Sequence, residues 1–106
     1  MSEGKTESIE TDEVTQFVVK VVREALGECQ IFLFGSRAKG LARANSDYDF
    51  AVQAEREVPF SEWAQIVNRV DEEAPTLMAI DMVDLSSRSV HQELKDSIRR
   101  EGVRVG

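Results

Sequence analysis

The chain has one cysteine in 106 residues, so no disulfide can form within it. Nothing argues for an oxidising compartment, and the cytoplasm is the expected location. Cys29 opens an apolar run and reads as a small buried hydrophobe. There is also only one histidine, His91, so a zinc site has no ligand cluster to draw on. His91 reads as a surface or half-buried residue near a helix start. No apolar stretch approaches the length of a membrane span. The opening segment, MSEGKTESIETDE, is polar and acidic, unlike a secretory signal or a transit peptide. Positive charge is scarce as well. Thirteen basic side chains face twenty acidic ones, a formal net charge of −7. Nonspecific nucleic-acid binding relies on neutralising phosphates, so nucleic acid is not an expected partner and template-directed polymerisation is disfavoured. No internal repeat, low-complexity tract or second domain boundary is visible. The length suits one domain with one modest core.

Residues 1–10 carry no periodic apolar pattern and are expected to be a flexible tail, with a single domain over 11–106. Thr11 can cap a first helix, whose apolar residues Val14, Phe17, Val18, Val21, Val22, Ala25 and Leu26 recur at helical spacing until Gly27. An apolar strand follows at Cys29–Phe34. Lacking polar alternation, it is expected to be central and covered on both faces. A second strand is expected over Tyr48–Gln53, with Tyr48, Phe50 and Val52 on the core face and Asp47, Asp49 and Ala51 on the other. Phe60–Asp71 reads as a second long helix, with Ser61 as its cap and Phe60, Trp63, Val67 and Val70 on one stripe. Trp63 reads as an anchor at the core or its edge. A third strand is expected over Leu77–Leu85. A last helix is capped by Ser89, with Gln92 completing a capping box and Val90, Leu94 and Ile98 as its apolar stripe. Gly102 ends it, and Val103–Val105 adds a short extended tail. The simplest closure is an α/β (α+β) arrangement, a three-stranded sheet with helices packed mainly on one side.

The chain is organised around Ile31–Val52, IFLFGSRAKGLARANSDYDFAV. An apolar strand ends at Gly35-Ser36, a short basic segment follows, and a second strand begins at Asp47-Tyr48-Asp49. Gly35 has no side chain to hold another group away and tolerates backbone angles other residues avoid. A helix starting behind it would direct free N–H groups at the turn, a setting that suits phosphate. Asp47 and Asp49, two apart in a strand, leave the same face and repel each other unless a cation lies between them. Such hard oxygen ligands suit magnesium, which also takes oxygens from substrate phosphates. Arg37, Lys39 and Arg43 form a positive patch beside them, which fits a small anion such as a nucleoside triphosphate. In the third strand, Asp81 and Asp84 differ by an odd number of positions. At most one of them can therefore join the pair.

Gly35-Ser36, ten residues, then Asp47-Tyr48-Asp49 resembles the signature of the DNA polymerase β superfamily of nucleotidyltransferases. The string GSRAKGLARANSDYDFAV is similar to its minimal nucleotidyltransferase (MNT) branch. Spacing, residue type and context agree, so the match is specific. The resemblance covers nearly the whole chain after the tail. It implies a nucleotidyltransferase fold with a small mixed sheet, and a third Asp from the next strand, where Asp81 matches best. Asp84 is then a solvated acid at the strand end.

That resemblance implies a metal-dependent enzyme with two magnesium ions on Asp47, Asp49 and Asp81. Gly35 and Ser36 would cradle the β- and γ-phosphates, and Arg37, with Lys39 or Arg43, would offset charge. It further implies ATP as the nucleoside triphosphate and transfer of AMP to a tyrosine of a small helical HEPN-type partner, as antitoxin to toxin. Two alternatives stand beside this reading: a noncatalytic module that masks such a partner, and nucleotidyl transfer to a small molecule.

Overall fold

The computed structural model describes residues 13–35 and 47–106. The first helix, α1, spans Glu13–Leu26 and buries Val14, Val18, Val21 and Val22 on one stripe. Ala25, which shares the helical spacing, is exposed. Gly27 closes the helix at φ +73°, donating its N–H to the Arg23 carbonyl at 2.9 Å. Strand β1, Cys29–Phe34, pairs antiparallel with β2, Tyr48–Ala54, in a register that sets Ile31 opposite Val52 and Phe34 opposite Asp49. Helix α2, Phe60–Glu73, carries the chain across to β3, Ile80–Asp84, which pairs parallel with β2. Helix α3, Gln92–Glu101, returns it to β4, Val103–Arg104.

The sheet has four strands in the order β3-β2-β1-β4 and is mixed. The fourth strand is the tail after Gly102, which becomes a strand by pairing antiparallel with Phe32 and Leu33. Val105 continues it, donating to the Ile31 carbonyl at 2.8 Å. The expected three-stranded sheet is therefore one strand short. Two residues carry too little pattern to read as a strand until a partner edge satisfies their backbone groups.

Two cores lie on opposite faces of the sheet. Ile31, Leu33, Tyr48, Phe50, Val52 and Ile80 pack against Val18 and Val22 of α1 and Ile66 and Val70 of α2. The rings of Tyr48 and Phe50 stack with centroids 5.9 Å apart. Cys29 belongs to this core, and burial pushes its thiol pKa up. On the other face, Ala51 and Leu85 meet Ile98 of α3, flanked by Phe32, Phe34 and Val83. Two of the three helices thus share one face. β1 is interior, but only Cys29, Ile31 and Leu33 are fully buried; Phe32 and Phe34 are half-buried and Gln30 is exposed.

Several helix and strand ends differ from expectation. α2 starts at Phe60 as expected, but Pro59 rather than Ser61 holds the cap position, and the helix runs to Glu73, two residues past Asp71. Phe60 is 84% exposed, while Trp63 is half-buried against the first core. β3 starts three residues later than Leu77, because Thr76 turns the chain, its Oγ1 accepting from the Met78 N–H at 3.0 Å. At α3 no capping box forms. His91, exposed, holds the cap position without a side-chain bond, and the Ser89 N–H donates to Ser87 Oγ within the preceding turn. Among the described residues no helix is long and apolar enough to cross a membrane.

Candidate active site

Three acidic residues come together where the ends of β1, β2 and β3 meet. Asp47 immediately precedes β2 and Asp49 is its second residue, so both leave the same face. Asp81 is the register partner of Asp49 on β3. In a parallel pair, register partners point the same way, so Asp81 joins that face. Asp47 and Asp81 are exposed and Asp49 is half-buried. Burial raises the Asp49 carboxyl pKa above its ordinary value, and the charges of Asp81 and then Asp47 raise it further.

Gly35 closes on this group. Its φ is +75°, and a Cβ placed there would lie 2.5 Å from Asp49 Oδ2 and 3.3 Å from Asp49 Cγ. Two independent demands therefore fall on one position: a left-handed backbone and room for a neighbouring carboxylate. The close approach anticipated at Gly35 is made, and the group approached is Asp49. This follows from the register, since Phe34, the residue before Gly35, lies opposite Asp49.

Asp84 behaves otherwise. Opposite Val52 on β3, it points to the face of the first core and is 8% exposed. Its Oδ1 accepts from the Ser86 N–H at 2.9 Å and the Ser86 hydroxyl at 2.6 Å. The expectation of a solvated acid is corrected: these bonds hold the turn that ends β3 and offset the cost of burying the carboxylate. Ser36, Arg37, Lys39 and Arg43 lie outside the described residues.

The sequence did not show how far α3 covers this face. Ala51 shares a face with Asp49 yet is completely buried beneath Ile98. The site is thereby confined to the strand ends. Beside Gly35 lies a cavity of about 160 Å³, bounded by Phe34 and by Leu94, Ser97, Ile98 and Glu101 of α3. The stripe of Leu94 and Ile98 was visible in the sequence, but not the face it covers.

Among the described residues no three acidic, histidine or cysteine side chains converge tightly enough to cage an ion by themselves. Three carboxylates along one face, one of them with its proton affinity raised by burial and then by the charges of the other two, nonetheless fit a hard divalent cation. Magnesium shared with substrate phosphates needs only one or two protein carboxylates.

A family model described as "Polymerase beta, Nucleotidyltransferase" matches residues 28–105. Among solved structures, the crystal structure of a toxin-antitoxin with AMP-PNP contains a chain that matches at TM-score 0.70 and 25% identity, over 86% of this chain and 71% of that one. A rebuilt structure of tri-AMPylated Shewanella oneidensis HEPN toxin in complex with MNT antitoxin matches at TM-score 0.64 and 22% identity, over 86% and 67%. A crystal structure of the toxin-antitoxin MntA-HepT matches at 0.63 and 23%, over 86% and 68%. The latter two likenesses are of fold. No curated protein matches.

Proposed function

The chain belongs to the polymerase β nucleotidyltransferase family, and from that premise we propose that it transfers AMP from ATP to a hydroxyl of a partner protein. The partner class we propose is a small helical HEPN toxin, held in check by this chain as its antitoxin. The observation that carries the reading is the register of Asp49 with Asp81, closed at one end by Gly35. It sets three carboxylates and a side-chain-free turn at one sheet end, an arrangement that suits a triphosphate and its counter-cation. The nature of the neighbouring complexes supports the donor and the acceptor. One contains AMP-PNP, and in another the HEPN toxin is tri-AMPylated.

Asp47, Asp49 and Asp81 would hold magnesium, two ions in this reading. When bound, magnesium would supply positive charge that offsets the charge developing on the attacking and leaving oxygens. The chain's own residues do the rest. Asp81, exposed at the edge of the cluster, receives the proton of the acceptor hydroxyl. The acceptor oxygen forms a bond to the α-phosphorus as the bond to the β-phosphate oxygen breaks, and pyrophosphate leaves. Gly35 keeps the floor of the cleft clear. Ser36 and the cations Arg37, Lys39 and Arg43 follow it in sequence, where they would meet the β- and γ-phosphates.

The test incubates the chain with ATP, magnesium and its HEPN-type partner, then measures the intact mass of the partner. A gain of one or more AMP units supports the reading. A tight complex whose partner mass never changes would favour masking, and modification of small molecules alone would favour the remaining alternative.

A further inference from the structure

β3 lies at an edge of the sheet, and its outer side carries no strand among the described residues. Two bonds fix which of its groups face outward. The Ala79 carbonyl accepts from the Tyr48 N–H at 3.0 Å, and the Leu85 N–H donates to the Val52 carbonyl at 2.8 Å. In a parallel ladder the groups that bond toward one neighbour recur at every second residue. Residues 79, 81, 83 and 85 therefore serve β2, and Ile80 and Met82 turn their N–H and C=O groups away from it.

This edge is not bare surface. A cavity of about 500 Å³ runs along it, floored by Met82, Val83 and Asp84. One wall is Val58, Phe60 and Trp63; the other is Val90, His91 and Leu94. Phe60 and Leu94, 84% and 40% exposed, are large apolar side chains held open to solvent on opposite walls. A free strand edge at the floor of an apolar groove suits one kind of occupant. An extended segment satisfies the edge with its own backbone, and its alternate side chains reach the two walls. The net charge of −7 favours a segment flanked by lysine or arginine.

We propose that the outer edge of β3 docks an extended, basic-flanked segment of a partner protein as a fifth strand, and that this segment carries the acceptor hydroxyl past Asp81. Adjacent strands lie about 4.8 Å apart. A residue paired beside Asp81 on the site face is therefore a neighbour of the carboxylate cluster. The acceptor part rests on the transfer reaction proposed above, whereas the docking part does not.

Trp63 is the only tryptophan and lines the groove, so its fluorescence reports docking without any chemistry. The probe is a synthetic peptide with alternating valine and threonine around one tyrosine and lysines at both ends. Main-chain bonds supply most of the affinity in this mode, so a generic strand former suffices. Saturable change in Trp63 emission below 1 mM peptide is expected. N-methylation of alternate peptide residues should weaken binding at least tenfold in one phase of the alternation and leave it unchanged in the other. Met82→Pro, which removes an outward N–H and spares the bonds to β2, should match the weaker peptide, as should Phe60→Asp. No binding at 1 mM, or binding indifferent to the phase of N-methylation, overturns the docking site. AMP transfer to the peptide should exceed transfer to free tyrosine amide at least tenfold, and Met82→Pro should abolish that advantage without changing the tyrosine amide rate. Equal transfer to both acceptors overturns the acceptor part. Docking with transfer to neither acceptor, nor to any protein, overturns both the acceptor part and the transfer reaction while leaving the docking site standing.

Discussion

Replacing Gly35 with alanine separates conformational strain from contact, because the molecule contains its own control. Gly27 and Gly35 have nearly the same φ, +73° and +75°. A Cβ at Gly27 meets nothing within 4 Å, whereas one at Gly35 falls 2.5 Å from Asp49 Oδ2. The left-handed conformation costs an alanine about 1–2 kcal/mol, and the stiffer unfolded chain returns about 0.4–1 kcal/mol. Gly27→Ala should therefore destabilise by about 1 kcal/mol, a fall in Tm of about 4–8 °C for a domain of this size. At Gly35 the Asp49 side chain must also leave its rotamer, adding about 0.5–1.5 kcal/mol. Gly35→Ala should then cost about 2 kcal/mol and abolish transfer, since the displaced carboxylate is one of the three. Thermal melting and AMP transfer are measured on both variants and on Gly35→Ala/Asp49→Ala, in which the contact is gone. That double variant should recover the additional melting loss but not the activity. Gly35→Ala that melts like Gly27→Ala and keeps full transfer would refute the packing of Gly35 on Asp49.

The pKa of Asp49 is raised in the folded state, so the native chain binds this proton more tightly than the unfolded chain does. Stability from this group grows as pH falls through the folded pKa toward the unfolded one and is lost as pH rises. Metal-free Asp49→Asn should therefore melt above the parent chain at pH 7, with the gap closing on acidification; a lower Tm at pH 7 would count against the carboxylate cluster. Asp84→Ala should lose about 1.5–3 kcal/mol from the charged hydrogen bonds to Ser86 while keeping most transfer, and Asp81→Asn should do the reverse, with melting and AMP transfer assayed together. Ile98→Ala, which empties the contact of α3 with Ala51 and Leu85, should cost about 2–5 kcal/mol by denaturant unfolding.

Where the sequence was legible, a local pattern carried the signal. The apolar run Cys29–Phe34 and the alternation Tyr48–Val52 placed β1 and β2 because each strand buries enough side chain to show its period. The parity of Asp81 and Asp84 put them on opposite faces, as they are. Long-range partners decided what the sequence could not show. β4 exists because β1 has a free edge, and Ala51 is covered because α3 crosses the site face. The burial of Asp84 depends on Ser86, two residues on, turning back to it. Gly35 announced a close approach, but only the register of Phe34 with Asp49 names the group approached.

In the proposed reaction, the Asp47, Asp49 and Asp81 face passes the α-phosphate of ATP, with its nucleoside, to a protein hydroxyl. ATP labelled at the α-phosphate and ATP labelled at the γ-phosphate distinguish this transfer from phosphorylation and from mere binding. Incubated with magnesium and the HEPN-type partner, the chain should place α-label on the partner and no γ-label. That label should vanish in Asp49→Asn and in EDTA. Label from the γ-phosphate, α-label that survives Asp49→Asn, or no label on a partner held in a tight complex would contradict it.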